Sequence, residues 1–306
     1  MSAHTIPSEQ LGPLALEGVR PRRGAAFPIR LLRWCGRYPL GAFGALIIVL
    51  IILMAVFAPI VAPYSPNKSF ADALFKGPTA RHPFGGDNIG RDVLSRVIYG
   101  ARVSLQVGLI SVLIGTAAAT LLGLISGYAG GWIDLTLQRL IDIFMAFPGI
   151  ILLLLIVSVF GRSLQNTILA ISLFLAFSPS RVVRSAVLVE REQPYILAER
   201  SLGATRLRIL LRHVLVNLIP LIIVMVSIAI GGAILIEAGL SFLGLGVPPP
   251  AVSWGRMIGS DSRAYFSHAP WLAVFPGIAL SLTIFAFNVL GDALRDQLDP
   301  RLRGQR

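Results

Sequence analysis

Apolar runs of bilayer length dominate the chain, with short polar stretches between them. The runs over 39–61, 101–127, 133–160, 164–183, 218–243 and 271–290 carry few charges, and each reaches the roughly 20 apolar residues that a transmembrane helix needs. The pattern predicts an all-α, polytopic membrane protein with six transmembrane helices. Small residues line the second run at Gly108, Gly115, Ala117, Ala118, Ala119 and Gly123, so this helix is expected inside a bundle, where small side chains let backbones approach. Pro148 predicts a kink in the third run.

The polar stretches divide the remainder. Residues 1–38 form an arginine-bearing leader, 62–100 a Pro- and Gly-rich insert, 184–217 a long basic loop, 244–270 a second Pro- and Gly-rich insert, and 294–306 a polar tail, leaving 101–293 as the core of helices 2–6. The first strongly apolar run starts near Gly41, after the long leader, and is long enough to span. It is therefore expected to stay as an anchor rather than be cleaved as a signal peptide.

Composition agrees, with 55% hydrophobic and 14% charged residues, too apolar for an ordinary water-soluble domain. A formal charge of +12 raises the question of nucleic acid. The arginines, however, sit between apolar blocks that a soluble nucleic-acid binder would not carry, and topology accounts for them better. The leader holds six arginines against two acids, and 181–213 holds seven against three. By the positive-inside rule the leader, this loop and the tail are expected in the cytoplasm, with both inserts on the opposite side of the membrane. Cys35 is the single cysteine, which excludes an intramolecular disulfide and a cysteine metal cluster.

Candidate chemistry is sparse. Neither Lys68 nor Lys76 stands in a phosphate-binding glycine loop, and His4, His82, His213 and His268 are dispersed. There is no paired-carboxylate, metal-ligand or nucleophile arrangement on which catalysis would rest. No enzyme activity, cofactor or metal is expected of this chain, and if ATP drives it, another subunit binds the ATP.

The loop carries the clearest local pattern. Tyr195, Ala198 and Leu202 recur at i, i+3 and i+7, an apolar stripe on a short helix with Glu199 and Arg200 on the other face. Gly203 suits the left-handed residue that ends such a helix, before Ala204 and a second helix. The stripe suits insertion into a groove on a soluble partner, while the arginines alone are equally explained by a helix lying on anionic lipid.

Several ordered stretches resemble one family. They include Phe84-Gly85-Gly86-Asp87 through Gly90-Arg91-Asp92-Val93-Leu94-Ser95-Arg96, Ala146-Phe147-Pro148, Glu237-Ala238-Gly239-Leu240-Ser241-Phe242-Leu243-Gly244, Ser253-Trp254-Gly255, and the Gly291-Asp292-Ala293-Leu294-Arg295-Asp296 core of the C-terminal region. Over 30–303 the chain resembles the second, "C"-type, permease subunit of dipeptide/oligopeptide/nickel ABC importers. Its loop resembles their EAA loop in part. Gly203 holds the glycine position and Ala198 the first alanine, but Leu197 stands at the glutamate position, Glu199 at the second alanine, and the closing proline is lost.

The resemblance implies a type I ABC importer permease fold with a cytoplasmic coupling helix. It implies a homologous permease as heterodimer partner, two ATP-binding subunits carrying ATP and Mg, a periplasmic solute-binding protein and surrounding membrane lipid. The expected cargo is a dipeptide or oligopeptide, with glutathione or a nickel chelate as alternatives within the family. It favours docking for the loop, making Tyr195, Ala198, Glu199, Arg200, Leu202, Gly203 and Ala204 the ATPase-coupling candidates. Asp142, Glu237, Asn166 and Ser227 are candidates for the translocation path or gate. Pairing with arginines is the favoured reading for Asp142, and path or helix contact stays open for Glu237. Asp87, Arg91 and Trp254 are candidate contacts for the binding protein. An ATP-independent secondary transporter is the alternative from another class, and a membrane-embedded hydrolase lacks a catalytic constellation.

Overall fold

A computed structural model describes residues 34–298; the leader's arginines from Arg20 to Arg33 and the tail beyond Leu298 lie outside the described residues. Residues 34–37 form a helical turn. Residues 38–298 belong to one compact unit, helical throughout its spans, with two isolated β-bridges in the first insert.

Helix α1, Pro39–Val56, opens with proline at its first turn, where the missing N–H costs nothing. It is apolar on every side, as lipid demands. Gly41, Gly44, Ile47, Ile48, Ile51 and Ala55 face inward, while Leu46, Val49, Leu50 and Leu53 are exposed on the outer side. Helix α2, Val93–Ala129, is started by Asp92, whose carboxylate accepts the Ser95 backbone N–H at 2.7 Å. Its 37 residues extend ~55 Å at about 1.5 Å per residue, well beyond the ~30 Å hydrocarbon layer.

Gly115, Ala119, Gly123 and Gly127 recur every fourth residue along α2. They form the seam against α5, Leu164–Glu190, in the most extensive helix–helix contact of the molecule. A Cβ added at Gly115 would lie 2.8 Å from the Ser172 carbonyl oxygen, and one at Gly123 would lie 2.6 Å from the Val183 Cβ. The two backbones approach only because those side chains are absent. Ser111 Oγ also donates across the seam to the Ile168 carbonyl at 3.2 Å.

Between α2 and α5 lie α3, Gly131–Ala146, and α4, Gly149–Phe160. The sequence leads one to expect a kink at Pro148; the chain instead turns through 92° there. Proline forces the preceding residue out of helical geometry, and Phe147 is extended at φ −79°, ψ 137°. The bend is a broken span, because of where the neighbouring chain lies. Arg191, following α5, donates to the Gly127 carbonyl at 2.8 Å, which places the end of α2 beside the basic loop. Arg162, following α4, donates to the Gly244 carbonyl at 2.8 Å, beside the second insert. The α3–α4 pair thus carries the chain from the loop end of the bundle to the insert end, making a sixth crossing beside the five unbroken ones.

Beyond α5, helix α6, Pro194–Ser201, leads through Gly203 and Thr205 into a helix that starts at Arg206. That helix passes a π-turn at Leu210–Val214 and continues as α7, Leu215–Phe242. The short α8, Trp254–Ile258, caps the insert end, and α9, Trp271–Leu298, closes the bundle against α1 and α7.

The seam sets a stability prediction. Gly123→Ala should lower the thermal midpoint of the purified protein by several degrees, because overpacking a close contact costs about 1–3 kcal/mol. Gly232→Ala, on α7 with open space where its Cβ would go, should leave it unchanged. Size-exclusion profiles after graded heating would check the pair, and equal midpoints would refute the seam.

Candidate functional site

The loop end is built on one buried side chain that the i, i+3, i+7 reading does not single out. Ile196 of α6 is fully buried in a small cluster with Leu124 of α2, Val183 and Val187 of α5, and Ile209, Val214 and Leu218 from the start of the next helix. Helix α6 is thus pinned where α2, α5 and α7 converge. Its outward side is different: Leu197, Ala198, Ser201, Leu202 and Gly203 are exposed, with Leu202 84% accessible.

Tyr195 and Glu199 turn back toward the bundle. The Tyr195 hydroxyl bonds the Glu190 carboxylate and accepts from Asn217 Nδ2 at 2.7 Å, and Asn217 also bonds Glu190 at 2.7 Å. Burial first, and then the Glu190 bond, hold this phenol above its ordinary range, so it remains a donor. Glu199 lies 3.7 Å from His213, and the Arg200 guanidinium sits 5.8 Å from the centre of the Tyr128 ring. The expected stripe therefore splits, with Ala198 and Leu202 facing out and Tyr195 locking the loop to α5 and α7. Gly203 has φ +81° with open space around it, so backbone conformation rather than crowding requires glycine there.

Of the expected path residues, Glu237 is fully buried. It accepts from Ser241 Oγ at 2.7 Å and approaches Ser104 Oγ at 3.4 Å. Ser104 Oγ in turn accepts the Trp254 backbone N–H at 3.2 Å. No ion pair reaches Glu237 among the described residues, and three hydroxyls, counting Ser253 next to Ser241 at 3.5 Å, surround it instead. Glu237 thereby ties α7 to α2 and to α8. Asp142 pairs with Arg181 of α5, with Arg139 at 3.7 Å, which joins α3 to α5. Both partners are about half exposed, and a charged pair at bundle depth must face water or protein rather than lipid. Asn166 donates to the Phe160 and Gly161 carbonyls at 2.7 and 3.0 Å, closing the turn into α5. Ser227 donates to Ile223 within its own helix at 2.8 Å.

The three expected binding-protein contacts lie in or near the interior of the inserts. Trp254 is completely buried, its indole N–H donating to the Val97 carbonyl at 2.9 Å. Asp87 is buried as well, accepting the backbone N–H groups of Ile89 and Arg91 at 3.0 and 2.8 Å and the Arg91 side chain at 2.6 Å. These residues hold the insert together, because a carboxylate with three donors is stable away from water and a large aromatic fills the gap between inserts.

Sequence reasoning missed the centre of this network. Arg96, almost wholly buried, bonds Asp261 of the second insert and lies 3.7 Å from Asp87 of the first. Arg256 adds a contact to Asp261 at 3.5 Å. Asp134 was likewise missed; it takes Arg184 Nε at 2.6 Å and bonds Ser126, joining α2, α3 and α5. The available signal was an unpaired-looking charge in or beside each span, with its partner many residues away.

Residues 119–304 match the family described as binding-protein-dependent transport system inner membrane component. Residues 37–78 match the N-terminal TM domain of oligopeptide transport permease C. The dipeptide transport system permease protein DppC of Alkalihalophilus pseudofirmus is 43% identical over 264 residues, 86% of each chain. The glutathione transport system permease protein GsiD of Escherichia coli O6:K15:H31 (strain 536 / UPEC) is 44% identical over 261 residues, 85% of this chain and 86% of its own. A chain of the MetNI methionine ABC transporter, solved in inward-facing conformations, superposes with a TM-score of 0.54 at 20% identity, covering 66% of this chain and 96% of its own. That last likeness concerns the fold.

The insert-end ion cluster generates a prediction. Asp261→Asn leaves Arg96 buried beside Arg91 and Arg256 with less countercharge, and breaking such a pair costs about 3 kcal/mol. Purified Asp261→Asn protein should unfold at clearly lower temperature, whereas Asp72→Asn, in the exposed pair with Arg81, should change little. Matching thermal midpoints for the two variants would contradict the cluster's structural weight.

Proposed function

Because the chain belongs to the family of binding-protein-dependent transport system inner membrane components, and is a permease subunit of an ABC importer, we propose that it forms, with a homologous permease, the path for a peptide-like solute. Dipeptides or short oligopeptides are the first candidates and glutathione the second, in line with the relatives' names. A solute-binding protein delivers the cargo at the insert end. Two ATP-binding subunits carry the ATP and Mg and engage the loop end. In this reading the membrane is the bacterial inner membrane, and the loop end, with both termini, is cytoplasmic, in keeping with the arginine excess of the 181–213 segment. An ATP-independent secondary transporter is set aside by family membership.

One observation carries the coupling role. Helix α6 projects Ala198 and Leu202 outward while Ile196 pins it between α2, α5 and α7. A push on the exposed side is transmitted to three spans at once, because Ile196 is fully buried against all three and packed interiors resist compression. The Tyr195–Glu190–Asn217 bonds add a polar brace between the end of α5 and the start of α7. Rigid-body movement of a docked ATPase would thus tilt α5 and α7 together.

The test uses the complete importer reconstituted in vesicles. Ala198→Arg combined with Leu202→Asp should abolish ATP-driven uptake of a dipeptide while leaving the thermal midpoint of the permease intact, since both side chains are exposed. Undiminished uptake would overturn the coupling role.

A further inference from the structure

A second feature of the loop end lies beside the coupling helix. A cavity of about 430 Å³ opens between the end of α2 and the 191–209 segment, lined by Tyr128, Ala129, Arg191, Glu192, Arg200 and Arg206 among others. Its charge is strongly one-sided. Glu192, the single acid on its wall, is bonded to Arg191 at 3.0 Å. Among the described residues no hydrogen bond or ion pair reaches the guanidinium of Arg206, and Arg200 has only the Tyr128 ring. Two arginines therefore line an open, polar space with no carboxylate bonded to either among the described residues.

The apolar surroundings say what kind of anion fits. Ile114, Leu121 and Ile125 are exposed on α2. At 100° per residue they share one face with Tyr128, the residue on the cavity wall. An apolar track thus runs along the helix and ends in the basic cavity. Just past it, at the start of α3, Trp132 is 74% exposed with Ile133 beside it, the placement of an aromatic at the membrane–water boundary. The cavity accordingly sits at head-group depth, with acyl-chain surface leading into it.

The geometry points to a binding site for one anionic phospholipid: its phosphate is held by Arg200 and Arg206, its head group rests on Tyr128, and an acyl chain lies along Ile125, Leu121 and Ile114. Basic pockets between transmembrane helices bind anionic head groups in this manner. Since Arg200 belongs to α6 and Arg206 opens the helix leading to α7, the lipid would bridge the coupling helix to the end of α2 and brace it against the membrane. The inference rests on the chain being a membrane permease, not on its coupling to an ATPase.

The assembled importer in phosphatidylcholine nanodiscs, titrated with short-chain phosphatidylglycerol and read by native mass spectrometry, tests it. Arg200→Gln with Arg206→Gln should weaken phosphatidylglycerol binding by about 30-fold. Arg208→Gln with Arg212→Gln, an equal charge loss on exposed residues off the cavity wall, should leave it unchanged. Ile125→Ser should weaken phosphatidylglycerol binding. Inorganic phosphate should fail to displace the lipid. Equal losses in the two arginine pairs would reduce the effect to general surface charge and overturn the site. Displacement by phosphate with no effect of Ile125→Ser would assign the cavity to a free anion and overturn the lipid. Uptake is recorded in parallel: lipid binding with unaltered uptake in Ala198→Arg/Leu202→Asp would sink the coupling role alone, whereas absent lipid binding with normal coupling would sink this inference alone.

Discussion

The close approach of α2 and α5 is the contact on which the other helix placements depend. In lipid there is no hydrophobic drive between helices, so association rests on van der Waals fit and on bonds across the interface. Four small residues at four-residue spacing, Gly115, Ala119, Gly123 and Gly127, let α2 lie against the backbone of α5 along about a third of α2. At the loop end the same seam delivers Leu124 beside Val183 and Val187, and that trio forms the socket into which Ile196 drops. The coupling helix is held by a contact made inside the membrane. At the insert end, α2 runs beyond the bilayer and supplies Arg96, Ser104 and the Val97 carbonyl, to which the second insert is attached.

Polar groups at membrane depth follow a common logic. Glu237, Asp134 and Asp142 each connect elements far apart in sequence, Asn166 closes the turn between α4 and α5, and none is left without partners. In a medium without water the alternative to a partner is costly, so each such group acts as a specific tie between helices. The ties are unevenly distributed. The α2–α5–α3 side has Asp134–Arg184 and Asp142–Arg181, whereas α1 joins the bundle through apolar packing and the Arg102 bonds to the carbonyls of Ala55 and Val56. The core thus has directional bonds where α3 breaks at Pro148, and those bonds hold a bent span that apolar packing alone would leave free to straighten or slide.

Much of this was legible in the sequence because the membrane leaves few options. Apolar runs of sufficient length must be spans, the small residues of α2 mark a packing face, and Gly203 stands where a helix has to end. What was not legible depended on partners distant in the chain. Glu237 finds Ser104 at a separation of 133 residues, and Arg96 finds Asp261 at 165; no local spacing announces either. Trp254 and Asp87 looked available because polar, glycine-rich inserts are usually surface, and they are buried because the two inserts fold onto one another. At Pro148 the proline announced a break but not its size, since a 92° turn needs the room that Gly149 leaves for Phe174. On α6, Ile196 was hidden by its neighbours: Tyr195 and Leu202 are larger or more regularly spaced, and only the position of α5 decides which side faces in.

That inward residue determines how the departure from the family's loop pattern should be understood. A glutamate at position 197 would stand on the outward side, where Leu197 is exposed. The acid found here, Glu199, faces His213 on the following helix instead. Moving the acid by two residues along a helix turns it through about 200°, from the partner's side to the protein's own side. The change therefore exchanges a charge offered outward for an internal contact between α6 and the helix leading into α7. The outward surface becomes Leu197, Ala198, Ser201 and Leu202, all uncharged, and recognition there rests on fit rather than on an ion pair. Its one arginine, Arg200, is turned toward the cavity beside Tyr128, so charge and fit are separated onto two faces of one eight-residue helix.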